Sequence, residues 1–281
     1  MHIIKTIPRL RELLQSEKQK GKTLGFVPTM GALHAGHASL IRQARRENDL
    51  VVLSIFVNPT QFGPREDYKK YPRTLHTDRR MAAQEGVDII FYPSAKIIYP
   101  REYLTYIEVN GINTQLCGRS RPGHFKGVAT IVGKLLNIVT PDAMYLGQKD
   151  AQQAIILKTM VRDLNVDVRI CVCPIIRESD GLAMSSRNQY LLPQQRHEAP
   201  VLFQSLQKAK KRILSGERNP KKIIAAIRSH IQNNSHSLID YIECVHADTL
   251  APLTVLKGKI LIALAVKFGS TRLIDNIIVR A

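Results

Sequence analysis

The run LVVLSIFV at residues 50–57 constrains this chain more than any other segment. It carries one polar side chain, Ser54, and does not alternate apolar with polar positions. Such a run describes a strand covered on both faces, as strands are in a parallel sheet under helices. Its surroundings fit. A strand-like run at 23–27, closed by Pro28, leads through a glycine-containing turn to a helical pattern at 36–47. After 50–57 come a polar loop, a helix and a run at 88–92. An irregular stretch follows, then a helix at 127–139, a strand at 143–146, a helix at 151–164 and a strand at 166–172. Near the amino terminus, Thr6 is placed to cap a helix with Pro8 in its first turn and Gly21 as its stop. Strands alternating with helices predict a Rossmann-like, doubly wound parallel α/β sheet.

From about Pro174 the pattern changes. A polar loop at 177–188 precedes helices at 193–214 and 219–232, then strands at 238–245 and 259–266. Helices followed by strands predict a smaller α+β domain, so the expected division is 1–175 and 176–281. The 281 residues are enough for two such cores. The longest uncharged apolar run, 260–266, is too short to span a membrane, and the start of the chain is too short in its apolar part for a signal peptide. The expected location is cytoplasmic. The four cysteines form no C-x-x-C pair; Cys171 and Cys173 alternate on a strand and read as small buried hydrophobes.

The net charge is +18, with 25 basic and 15 acidic residues in 1–175 and 16 and 8 in 176–281. The excess is spread over the chain. Its densest patch, KAKKR at 208–212, lies on a helical pattern and reads first as a solvated face, with an anionic partner as the alternative. A nucleic-acid module would interleave aromatics with such charge, and that patch contains none. Several catalytic patterns are missing. KGKT at 20–23 has Ser16 where a P-loop needs glycine, no G-x-G-x-x-G or G-x-S-x-G occurs, and His197-Glu198 lacks the second histidine of a zinc helix.

The segment PTMGALHAGH at 28–37 is different. It joins the first strand to a helix, where a doubly wound sheet binds its ligands. His34 and His37, three apart at the helix start, share one face, and with the free N–H groups there they can meet a phosphate. Two further loops leave carboxyl ends of strands: NPTQF at 58–62 and GQKD at 147–150, the latter followed by Gln152 and Gln153. The amides of Asn58, Gln61 and Gln153 suit a substrate bearing hydroxyl and carboxylate groups, and Lys149 supplies positive charge. Ser185, Ser186 and Arg187 read either as an anion clamp or as an ordinary capping or turn segment.

H-x-G-H followed by an M-S-x-[KR]-type loop resembles the nucleotidyl-transferase superfamily that includes the class I aminoacyl-tRNA synthetases. The strings at 28–37, 57–62, 71–74 (YPRT), 121–127 (RPGHFKG), 147–150, 181–188 (GLAMSSRN) and 272–276 (RLIDN) resemble more closely the pantothenate synthetase, or pantoate–β-alanine ligase, family. That resemblance implies an enzyme joining pantoate to β-alanine through a pantoyl-adenylate made from ATP, with AMP and pyrophosphate released. It implies that His34 and His37 hold the phosphates, with His37 placed to stabilise or protonate the leaving group. It implies that Lys149, Ser185, Ser186 and Arg187 neutralise the triphosphate. Met30, Gly31, Ala32, Leu33, Ala35, Gly36, Gly147, Gln148, Asp150, Ile176 and Met184 would complete the ATP site. Gln61, Gln153 and Asn58 would bind pantoate, and Gln61 also β-alanine. Mg²⁺ would accompany ATP, with Asp78 the candidate to touch it. A homodimer and a hinged C-terminal lid are implied as well, and no membrane or nucleic-acid partner. Gln148 departs from the pattern, since relatives often carry Glu there, and the family does not explain the charge. The rival reading is another HxGH adenylyl transferase, one that charges tRNA or forms a dinucleotide.

Overall fold

A computed structural model describes residues 1–64, 66 and 68–281. Two compact units divide the chain. The first comprises Met1–Asn113, Arg121–Gly147 and Ile156–Pro174; the second comprises Thr114–Ser120, Gln148–Ile155 and Ile175–Ala281. In chain order the elements begin with β1 (His2–Ile4), α1 (Ile7–Gln19), β2 (Leu24–Thr29), α2 (Ala35–Glu47), β3 (Leu50–Ile55), α3 (Leu75–Gln84) and β4 (Ile89–Phe91). Next come α4 (Ala95–Ile98), α5 (Cys117–Ser120), α6 (His124–Val139), β5 (Ala143–Gly147), α7 (Ala151–Asp163) and β6 (Arg169–Cys173). The last are α8 (Pro193–Glu198), α9 (Val201–Leu214), α10 (Pro220–Asn234), β7 (Leu238–His246), β8 (Lys259–Phe268) and β9 (Thr271–Arg280).

The first unit is built on a six-stranded sheet in the order β1-β4-β3-β2-β5-β6, with every pair parallel. All six residues of β3 are buried, as its unbroken apolar run predicts. From β2 the chain winds one way through β3 and β4 and the other way through β5 and β6, so the topological switch point lies between β2 and β5. In such sheets ligands bind beyond the carboxyl ends of the strands at that point. The strand expected to close at Pro28 runs on to Thr29. Leu24 O accepts from Asp142 N–H, and by alternation Pro28 faces the same side, toward β5. The registered pairing with β5 ends at Phe26–Met144, so the missing proline N–H breaks no ladder bond.

A polar cluster closes one end of α2. The Tyr145 hydroxyl donates to Glu47 Oε2 at 2.8 Å and accepts from Asn48 Nδ2 at 2.7 Å. Arg169 Nη2 donates to the same Glu47 oxygen at 2.8 Å. Cys173, buried, and Cys171, partly buried, pack in the adjoining apolar cluster.

The second unit carries an antiparallel sheet, β7-β8-β9, with β8 central and nearly all buried. Its core takes Leu202, Leu206 and Ile213 from α9 and Ile223, Ile227 and Ile231 from α10. On α9, Lys208, Lys210, Lys211 and Arg212 are exposed while Ala209 faces the core, which is the solvated face expected of the 208–212 patch.

Three expectations are corrected. The helix expected at 193–214 is two helices, because Pro200 has no N–H to donate one turn back and its ring crowds that carbonyl. β1 went unrecognised because three residues paired only to β4 leave little pattern. β9 went unrecognised because Asp275 and Asn276 interrupt its apolar alternation, although both are buried.

The bonds from Arg169, Tyr145 and Gln43 bring the Glu47 carboxyl down to about 2 from its usual 4.5. A lowered carboxylate pKa stabilises the fold above the unfolded value, and that stability is lost as pH falls from about 4.5 toward 2. Glu47→Gln is expected to flatten the fall in melting temperature across that window. A melting curve against pH that matches the native chain would discount the cluster.

Candidate active site

The turn between β2 and α2 is held from behind by Asp78. Its Oδ2 accepts the Ala32 N–H at 3.1 Å, and its Oδ1 accepts the Leu33 N–H at 2.8 Å and the Thr74 hydroxyl at 3.1 Å. The side chain is buried. These donors turn the carboxylate inward, and no group of three His, Cys, Asp or Glu able to hold a metal occurs among the described residues. The Asp78 carboxylate is thus spent on the loop. Its observed part is to anchor the loop.

The two histidines cap α2 reciprocally. Gly36 N–H donates to His34 Nδ1 at 3.1 Å, and His34 N–H donates to His37 Nδ1 at 3.3 Å. The ring centroids lie 4.1 Å apart. Both Nδ1 atoms act as acceptors, so the hydrogen-bond network assigns the proton of each neutral ring to Nε2. The pair is thereby fixed in orientation at the start of α2. The backbone N–H groups of residues 34 and 36, expected from sequence to be open to a ligand, are taken by these rings. Gly36 is what allows the first cap, since a Cβ there would lie 2.8 Å from His34 Cε1.

After β3, Asn58 caps a short 3-10 turn at Pro59–Gln61. Its Nδ2 donates to Gln61 Oε1 at 3.0 Å and to Gly127 O at 3.1 Å, while its Oδ1 accepts from Tyr99 and Thr60 hydroxyls. Asn58 is thus consumed inside the fold and orients Gln61 rather than offering its own amide to a ligand. Gln61 Nε2 reaches Met30 Sδ at 3.2 Å, a weak acceptor that a better one can displace. The backbone carbonyl of Gln61 accepts from His124 Nδ1 at 2.8 Å and from Arg121, which is paired with Glu66 at 2.6 Å. Burial pushes the Glu66 carboxyl up, but the Arg121 guanidinium outweighs it and holds the group below its usual value. A cavity of ≈ 150 Å³ adjoins this turn, lined by Met30, Gly31, Phe56, Tyr68, Arg73 and Asp78 among others.

The second unit carries most of the other candidates, which follow directly after Gly147 in the chain or lie beyond residue 175. Gly147 ends β5, and Gln148, Lys149 and Asp150 form a 3-10 turn before α7. Lys149 is mostly buried along its stem, with Nζ 3.9 Å from Asp150 Oδ2. Gln152 is structural, accepting Cys117 N–H at 3.0 Å and donating to Gln115 O at 2.7 Å, whereas Gln153 is half-buried. Met184 N–H donates to Ile176 O, so these two distant residues sit side by side. Ser185 Oγ accepts Arg187 N–H at 3.3 Å and starts a short 3-10 helix, leaving residues 185–187 half-buried.

The sequence matches the model of the "Pantoate-beta-alanine ligase" family over residues 2–278. The chain belongs to the pantoate–β-alanine ligase family. It is 55% identical to a pantothenate synthetase of Acetivibrio thermocellus over 279 residues, 99% of each protein, and 53% identical to one of Caldicellulosiruptor saccharolyticus. A pantothenate synthetase structure from Thermus thermophilus superposes with a TM-score of 0.95 at 41% identity, over 100% of both chains. A pantoate–β-alanine ligase from Francisella tularensis, complexed with beta-gamma ATP and β-alanine, superposes at 0.82 with 39% identity, covering 99% of this chain and 97% of that one. This ligase is an enzyme that joins pantoate to β-alanine to give pantothenate.

Several contributors to the ligase fold around these groups had no role assigned from sequence. Gly127, Arg121, His124 and Asn276 all lie in strings that carried the resemblance, so the signal was position within a motif, without a contact to interpret it. Gly127 is the clearest case. A Cβ there would stand 2.3 Å from Thr60 O and 2.7 Å from Gln61 N, both backbone atoms. Gly127→Ala is expected to cost about 1–3 kcal/mol of stability through overpacking. It should also slow pantothenate formation by displacing Gln61. A variant with native melting temperature and native turnover would mean that the turn yields freely.

Proposed function

We propose that this ligase works in two steps through an enzyme-bound acyl-adenylate. A pantoate carboxylate oxygen attacks the α-phosphorus of ATP, the bond from that phosphorus to the bridging oxygen breaks, and pyrophosphate leaves. The amine of β-alanine then attacks the acyl carbon, the bond to AMP breaks, and the nitrogen loses a proton. The observation that carries this reading is the reciprocal cap of His34 and His37, which holds two imidazoles side by side at a helix N-terminus beyond a strand end. That the Francisella relative was crystallised with an ATP-type nucleotide and β-alanine supports the same substrates here.

In this reading His34 and His37 donate to the phosphates, and His37 stabilises or protonates the departing pyrophosphate. Lys149, Ser185, Ser186 and Arg187 neutralise triphosphate charge. The turn at 30–37, with Gly147, Gln148, Asp150, Ile176 and Met184, holds the nucleotide. Gln61 and Gln153 bind pantoate, Gln61 also serves β-alanine, and Asn58 sets the orientation of Gln61. Magnesium enters with the phosphates of ATP, and no step is assigned to a protein-held ion. Residues 1–175 act as the nucleotide- and pantoate-binding domain and 176–281 as a lid domain carrying residues 185–187. The functional particle is a homodimer, and its place of work is the cytoplasm, where ATP is kept. No helix among the described residues is long and apolar enough to cross a membrane.

Pyrophosphate release from Mg·ATP and pantoate is the direct test. About one equivalent per site without β-alanine, and continuous AMP formation with it, is the expected result. Absence of pyrophosphate when pantoate is supplied alone would rule out the free-standing first step. His37→Ala should lower the rate of release by about 10²–10³-fold, as loss of one preorganised donor does, while its melting temperature moves little. Native release from this variant would remove His37 from the chemistry.

A further inference from the structure

The carboxyl-proximal string RLIDN at 272–276 is a part of the family pattern that the reaction above leaves without a role. Its last two residues, Asp275 and Asn276, are each 3% exposed in the middle of β9. Consecutive residues of a strand point to opposite faces, so each serves a different neighbour. Asp275 forms a two-pronged pair with Arg177, at 2.7 and 2.9 Å, and Arg177 also donates to Gly181 O at 3.0 Å and lies 3.8 Å over the Phe203 ring. This pair fixes the base of the hairpin in which Arg177 bridges Ala183 and Met184 meets Ile176. A buried ion pair is a weak stabilising device because desolvation offsets its attraction, so its placement is the more informative property.

Asn276 faces the other way. Its Nδ2 donates to Gln148 O and to Lys149 O, both at 3.0 Å, and its Oδ1 accepts from Gln148 Nε2 at 3.0 Å. One side chain therefore makes three bonds to a two-residue segment and fixes the backbone from which Lys149 projects. A lysine stem has four rotatable bonds, and a rigid root lowers the entropy cost of holding its ammonium at one place. We propose that Asn276 is a positioning residue for Lys149, holding the 148–150 turn on the strand that also anchors the hairpin leading to Ser185–Arg187. The inference rests on the reading that Lys149 binds phosphate. Asn276 itself touches no substrate. It acts through the turn, so its loss should resemble loss of Lys149.

The test is a double-variant cycle on the full-length enzyme with Mg·ATP, pantoate and β-alanine. Asn276→Ala should raise the KM for Mg·ATP about tenfold or more, and leave the KM for β-alanine within about twofold. In a Lys149→Ala background the same change should alter the ATP parameters by less than about twofold, because coupled residues are not additive. A merely structural asparagine would give multiplied losses in the double variant, and that result overturns the proposal. So does a folded Asn276→Ala with native ATP kinetics. If Asn276→Ala does not fold, Asn276→Asp keeps the shape but removes the two bonds donated to Gln148 O and Lys149 O, and should shift the ATP KM in the same direction. A native ATP KM for that folded variant counts equally against the proposal. A silent Lys149→Ala would instead sink the phosphate reading of Lys149, and this inference with it. A damaged Lys149→Ala beside a silent Asn276→Ala sinks only the inference.

Discussion

Parallel pairing is the constraint from which the first unit follows. Strands that run the same way deliver every carboxyl end to one edge of the sheet, and each return must be made by a crossover covering a face. β3 has no side that could meet water, so its neighbours and their helices must exist before it is stable. The same geometry sends the turn after β2 and the turn after β3 to a common edge. The positions of those turns are set by the strands beneath them.

Around this edge, buried polar side chains hold the loops in place. Asp78 binds two backbone N–H groups of the histidine loop. Asn58 spends its whole amide on Gln61, Gly127, Thr60 and Tyr99. Each would leave an uncompensated buried group if its partners moved, at about 1–3 kcal/mol apiece. That penalty resists displacement of the loops. The Gln61 amide nitrogen, by contrast, meets a sulfur, a weak acceptor.

Much of this organisation was legible in the sequence because strong patterns report directly on burial. The 50–57 run predicted the parallel sheet, and the H-x-G-H segment marked the turn between its first long strand and the following helix. What stayed hidden depended on contacts between distant residues. Asp78 and Asn58 read as candidates for metal and substrate because a polar side chain looks the same in sequence whether it faces a ligand or a backbone amide. β9 was invisible because two buried polar residues broke its alternation, and their partners at Arg177 and at residues 148–149 are about a hundred or more positions away. The break at Pro200 was not read from the sequence, although a proline within a helical pattern is itself a signal for one.

The bond between Asn276 and Lys149 O spans 127 positions of chain. Contacts of such separation carry a large loop-closure cost and are favoured only after local structure has collapsed. The turn from which Lys149 projects is therefore joined to β9 by a contact that local structure alone does not supply, and a change in β9 reaches that turn across more than a hundred positions of chain.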